Sequence, residues 1–295
     1  MKIIKPSVEF YGAVPTDYEG ALRFIEKSGR TCYKSEDKIT PTSAEAFVRK
    51  LIAAGHLAMV EHSSFVVRMP QPEEVVIGLT AATVAIVGKF LNVLQNSDYI
   101  YVGGSLTAWY IRGNIVGWDD PIFRAFAREY DDLFDIVLIK ASNTPWRVCP
   151  HDEIPKELQR YSAKFICDRG VSHELVRHRP CSFAQESTRY VNYVGKEMEF
   201  IEPDGFEGWP TPLRRDFEET CKMTESAYKY FIAQGLKPQQ ARAVLPNALK
   251  TEIVVTADVA EWQHLFNLRC APSAHPDFRR LAVPLRDKFQ EAGLI

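Results

Sequence analysis

No C-x-x-C pair occurs among the six cysteines, at positions 32, 149, 167, 181, 221 and 270. That scatter carries no zinc signal and no compact disulfide framework, and it fits a reducing cytoplasm. The most apolar window, 75–87, is too short to span a bilayer and contains two threonines, so it reads as buried core. Lys2 and Lys5 are followed by no sustained apolar stretch, and no secretory signal is expected. No G-x-G-x-x-G follows a strand-like run, which argues against a Rossmann dinucleotide site. Strong charge of one sign is also missing. A net charge of −2 gives no global positive field to drive counterion release, which argues against a general nucleic-acid binder. Internal repeats and low-complexity tracts are absent.

What is present is an ordinary soluble composition, with 46% hydrophobic and 25% charged residues. A length of 295 residues allows one large or two small domains. Helical periodicity covers 16–27, 42–54, 121–139, 172–179, 212–234, 238–245, 258–270 and 276–292. Thr42 and Glu45 have the spacing of a capping box. Segments 64–69, 99–102, 164–167 and 252–256 read as strands. Segment 75–94 is ambiguous, because its length suits a helix and its Val, Ile and Thr content suits strands. Helices and strands mix without βαβ regularity, which predicts an α+β fold.

The most informative stretch runs from Glu174 to Tyr190, ELVRHRPCSFAQESTRY. Arg177, His178 and Arg179 are adjacent, and Ser187, Arg189 and Tyr190 follow. Guanidiniums offer planar, bidentate, permanently charged donors, which suits an anion and above all a phosphate. The alternative is a solvated basic face. Arg177 to Arg179 also fall near a helix C-terminus ahead of Pro180, where cations complement the dipole. Residue physics leaves both readings open, although the dipole does not account for Ser187 and Arg189 beyond the break.

Arg177-His178-Arg179, seven residues, then Ser187 resembles the R-H-R-x7-S signature of flavin-dependent thymidylate synthases. The fuller match is RHRPCSFAQESTRY. The resemblance extends to KFICDRGVSH (164–173), ARAVLPNALKTEIVVT (241–256), 261–282, and the segments MKIIKPSVEF and GRTCYKSEDKITP. It implies a single domain over 1–295 with a mixed or antiparallel sheet and long helices, and a poorly matched insertion at about 67–160.

The resemblance also implies reductive methylation of dUMP to dTMP. Methylenetetrahydrofolate would be the carbon donor, NADPH-reduced FAD the hydride source, and a homotetramer the working assembly. Nothing in it calls for a metal. Arg269 matches the arginine that activates the uracil electrostatically. Glu174, Leu175, Val176 and Arg177 would line the pyrimidine. Gln185, Glu186, Ser187, Thr188, Arg189 and Arg242 would hold the phosphate. His62, Ser64, Arg177, His178, Arg179, Asp258, Ala260 and His264 fall at flavin-contact positions.

Two departures stand out. Where the family reads T-x-N-x-R-E-W, this chain has Thr256-Ala257-Asp258-Val259-Ala260-Glu261-Trp262, which removes an amide donor and a cation and adds a negative charge. Weakened FAD binding is the expectation, although Asp258 and Glu261 retain a capping-box pattern. Cys181 stands where relatives carry Ala, and reads as a small buried thiol rather than a nucleophile. A flavin-dependent dUMP hydroxymethylase and a non-catalytic nucleotide-binding homologue are the alternative functions.

Overall fold

The structure is a computed structural model and describes residues 1–71, 91–136 and 144–295. The apolar window 75–87, most of 75–94 and the end of 121–139 therefore lie outside the described residues. The strands are β1 (Lys2–Ile4), β2 (Ser7–Ala13), β3 (Phe65–Pro70), β4 (Asn92–Gln95), β5 (Tyr99–Gly104), β6 (Arg147–Val148), β7 (Arg160–Asp168), β8 (Ser182–Gln185), β9 (Glu199–Ile201) and β10 (Lys250–Asp258). They form a parallel pair, β1-β9, and two four-stranded sheets of order β2-β7-β10-β8 and β4-β5-β3-β6. The fold is α+β with a mixed set of pairings, as the residue pattern predicts.

The chain divides into two compact units. One comprises Met1–Tyr11, Gly29–Asp37 and Ser162–Ile295, and the other Gly12–Ser28 and Lys38–Tyr161.

In the unit that includes Lys38–Tyr161, β3 pairs antiparallel with both β5 and β6. Gly103 on β5 sits opposite Val66, and a Cβ there would meet Val66 Cγ2 at 3.0 Å, so a larger residue would require the Val66 side chain to shift. Phe65 points from β3 into an aromatic core with Trp109, Phe126 and Tyr130, its ring edge-on to all three at 5.3–5.5 Å. Edge-to-face packing of this kind adds to the burial of large apolar area. Trp109 Nε1 donates to the Phe65 carbonyl at 3.0 Å, satisfying the one polar group the indole brings inside. The helix Pro121–Phe134 begins as the sequence suggests, with the Asp120 carboxylate accepting from Ile122 N at 3.0 Å. The Thr42–Glu45 capping box does not form. The helix there runs Ala44–Ala53 after Ser43, whose hydroxyl is taken by the Thr40 amide and the Glu26 carboxylate.

In the other unit, β10 is buried along nearly its whole length and pairs antiparallel with β8. β8 carries Gln185 and leads directly to Glu186 and Ser187. Two aspartates at strand ends turn the chain into helices. Asp168 accepts from Val171 N at 2.9 Å and starts the helix Arg169–Leu175, while Asp258 accepts from Glu261 N at 2.9 Å and starts Val259–Arg269. The first of these begins and ends earlier than the expected 172–179. The Asp168 cap fixes its start, and the restriction imposed ahead of Pro180 leaves Arg177 to Arg179 in a turn beyond its end. The long helix Thr211–Ala233 and the last helix Pro276–Glu291 fall within a residue or so of expectation.

Candidate active site

The helix Val259–Arg269 delivers Arg269, its last residue, to the end of the helix Arg169–Leu175. There the guanidinium is held by three contacts. Nε donates to His178 Nε2 at 3.1 Å, Nη2 donates to the Glu174 carbonyl at 3.3 Å, and Nη1 pairs with the Glu174 carboxylate. The Phe278 ring lies 4.9 Å from Arg269 Cζ, a cation–π arrangement. His178 is buried, and its ring stands edge-on to His264 at 6.0 Å. Burial first, then the Arg269 cation and His264, push the His178 imidazolium down to about 4.

His178, His264 and Arg269 line one cavity of about 420 Å³ with Arg177, Arg179, Pro180, Glu261 and Leu268. The structure thus gathers Arg177, His178, Arg179, His264 and Arg269, which are scattered over ninety positions of sequence. Exposed guanidiniums at Arg177 and Arg179 make its rim cationic. Such a rim can receive an anion, and Arg269 can stabilise negative charge developing on a bound ring.

A second cavity, of about 320 Å³ and in the same unit, is lined by Arg169, His173, Thr188, Arg242, Asn247 and neighbouring apolar residues. Arg242 Nη1 donates to Thr188 Oγ1 at 3.2 Å. Arg169 Nη1 is buried with no hydrogen-bond partner among the described residues. Arg169, His173 and Asn247 were not singled out by sequence reasoning. Arg169-Gly170 reads as a turn signal, and only the helix that starts at Arg169 brings that guanidinium beside Arg242.

The other expected site residues divide by what their side chains already do. Leu175 is fully buried in the core, and Val176 is exposed at the helix end. Gln185 donates to Ser172 Oγ at 2.8 Å and Thr251 Oγ1 at 3.2 Å. Glu186 is buried, accepting from Tyr193 OH at 2.8 Å and pairing with Lys250 Nζ at 3.4 Å. Ser187 N donates to the Cys32 carbonyl at 2.9 Å, and Ser187 Oγ accepts from Arg189 N at 3.3 Å. Arg189 is exposed, with Cζ 5.5 Å from the Tyr190 ring. Asp258 uses its carboxylate as a helix cap, and exposed Ala260 offers no donor. His62 and Ser64 are fully buried and belong to the unit containing Lys38–Tyr161.

Beneath the segment that follows β8 lies a buried charge network. Glu252 is paired with Lys34 at 2.6 Å and with Lys164 and Lys250, and Lys250 also reaches Glu199 at 3.5 Å. Burial alone would raise the Glu252 carboxyl, but the lysine ammoniums override it and hold it down to about 2.

Residues 151–292 match the family described as Thymidylate synthase complementing protein. That segment, just under half of the chain, is what resembles the family. The RHRPCSFAQESTRY motif, Arg242 and Arg269 all fall inside the matched segment. Among similar proteins, the flavin-dependent thymidylate synthase of Geobacter sulfurreducens is 39% identical over 118 residues, covering 40% of this chain and 50% of that protein. The enzyme of the same name from Pyrococcus furiosus is 35% identical over 125 residues, covering 42% of this chain and 51% of that protein. The chain therefore spans about half the length of these curated relatives. A flavin-dependent thymidylate synthase of Mycolicibacterium vanbaalenii aligns across 94% of this chain and 79% of its own length, at 24% identity.

Proposed function

We propose that this protein is an enzyme of thymidylate synthesis, converting dUMP to dTMP by reductive methylation. Methylenetetrahydrofolate is the carbon donor, NADPH the reductant and FAD the cofactor, and the working assembly is a homotetramer. The observation that carries this reading is the seating of Arg269. A permanently charged guanidinium is fixed at the edge of a cationic cavity, where it can stabilise charge that develops on a pyrimidine ring without reorganising.

The residues present fit a flavin nucleotide on one side of that cavity. Arg177 and Arg179 supply exposed guanidiniums suited to a diphosphate, and His178 and His264 supply ring edges. The start of the helix Val259–Arg269 fits less well, since the Asp258 carboxylate is occupied by capping and Ala260 brings no cation. Bound and reduced, FAD supplies the hydride. The protein's own groups do the rest. Arg242 and Thr188 line a cavity suited to the phosphate of the substrate, with Ser187 and Arg189 on the same segment. Arg269 polarises the ring, and neutral His178 holds Arg269 in place.

The test is mass analysis of the nucleotide formed from dUMP with methylenetetrahydrofolate, NADPH and excess FAD under anaerobic conditions. The expected product is dTMP. A 5-hydroxymethyl product would instead assign the chain to a hydroxymethylase, and bound dUMP with no product would favour a nucleotide-binding homologue.

A further inference from the structure

An arginine has five N–H donors and no acceptor. At Arg269 three of its nitrogens are engaged inside the protein, and Glu174 takes two of them: the carboxylate on Nη1 and the backbone carbonyl on Nη2. The third, Nε, is bound to His178. One further N–H on each Nη is left for a ligand. The Arg269 side chain is 18% exposed and that of Glu174 30%, so the pair is shielded, and Arg269 lines the cavity while Glu174 holds it from outside the lining. A carboxylate and a guanidinium in this geometry define an orientation as well as an attraction. An untethered arginine side chain carries rotamer entropy that a ligand would have to overcome on binding. The Glu174 carboxylate is also a pure acceptor and cannot donate to either carbonyl of a pyrimidine ring.

We propose that Glu174 is a positioning residue, which acts on the nucleotide through Arg269 by fixing the orientation of its two remaining donors, rather than as a direct nucleotide contact. This rests on the functional reading above. The helix Arg169–Leu175 and the helix Val259–Arg269 are then joined at their C-terminal ends by a link whose purpose is to aim a cation.

A double-mutant cycle read by dUMP binding calorimetry on the full chain tests the proposal, with circular dichroism confirming that each variant folds. In the wild-type background, Glu174→Ala is expected to weaken dUMP binding roughly ten- to a hundredfold, the range for losing charge-assisted hydrogen bonds. Glu174→Gln, whose amide oxygen still accepts from Nη1, is expected to recover part of that loss. In an Arg269→Ala background, Glu174→Ala and Glu174→Gln are each expected to cause no further loss. If the same loss persists without Arg269, Glu174 touches the nucleotide directly and the proposal is overturned while the function stands. A wild-type chain that binds no dUMP would overturn the functional reading itself.

Discussion

At His178 the nitrogen that accepts from Arg269 Nε must carry a lone pair, so the imidazole is neutral with its proton on Nδ1. Burial, Arg269 and His264 all disfavour its charged form, which sets its titration near 4. An imidazole NMR titration is expected to show His178 unprotonated throughout pH 5–8. Protonation close to the ordinary value of 6.5 would mean that the Arg269 contact is not kept in solution. Arg269→Ala is expected to lower turnover by about a hundred- to a thousandfold, as removal of a preorganised charge-stabilising donor does in other enzymes. Steady-state rates against dUMP would measure it. Cys181 is buried, so Cys181→Ala is expected to keep full turnover in the same assay. Arg177, His178, Arg179 and Arg269 were identifiable as residues from their motifs. The tautomer of His178 and the pairing of Arg269 with Glu174 were not, because they depend on contacts across ninety or more positions.

Among the elements, β10 and the helix it feeds carry the arguments that can be tested most directly. Lys34, Lys164 and Lys250 converge on Glu252, and removing the carboxylate leaves three cations facing one another in a poorly solvated place. Glu252→Gln is expected to destabilise the fold by about 3–5 kcal/mol, the range for breaking one side of a buried ion pair. Urea denaturation would measure it. Because the Glu252 pKa is lower in the folded chain than unfolded, its contribution is complete above about 4.5 and disappears as pH falls toward 2. The variant should therefore lose part of the wild-type dependence of stability on pH across that interval. At the next helix, Asp258 caps and Ala260 is exposed, so the double variant Asp258→Asn/Ala260→Arg should keep the cap and add a cation. FAD titration is expected to show tighter binding in this variant, and equal affinity would dispose of the idea that these positions weaken flavin binding. The sequence revealed the helices that start at Asp258 and Pro276 well, while the one capped by Asp168 begins earlier than the Arg169-Gly170 turn signal suggests. It revealed β8, β1 and β2 poorly. Four- and three-residue strands such as β8 and β1 are too short for a clear alternation, and partners distant in sequence settle their pairing.

For the whole molecule, the described chain comprises two units, and the family match from 151 to 292 falls almost entirely in the one that contains Ser162–Ile295. That unit holds both cavities. If the proposed assembly is right, sedimentation equilibrium should give four times the chain mass of 33.6 kDa, and a mass of one chain would refute the tetramer. By itself the sequence determined the α+β class, the Asp258 helix cap, and the adjacency of the guanidiniums at Arg177 and Arg179. Each of these follows from local pattern or from the fixed chemistry of a side chain. Only the tertiary structure decided which cations share a cavity, that Arg169 joins Arg242, that Gln185 and Glu186 are engaged within the fold, and that Glu174 faces Arg269. Those outcomes arise from strand pairing and helix packing between distant segments, which local spacing does not encode.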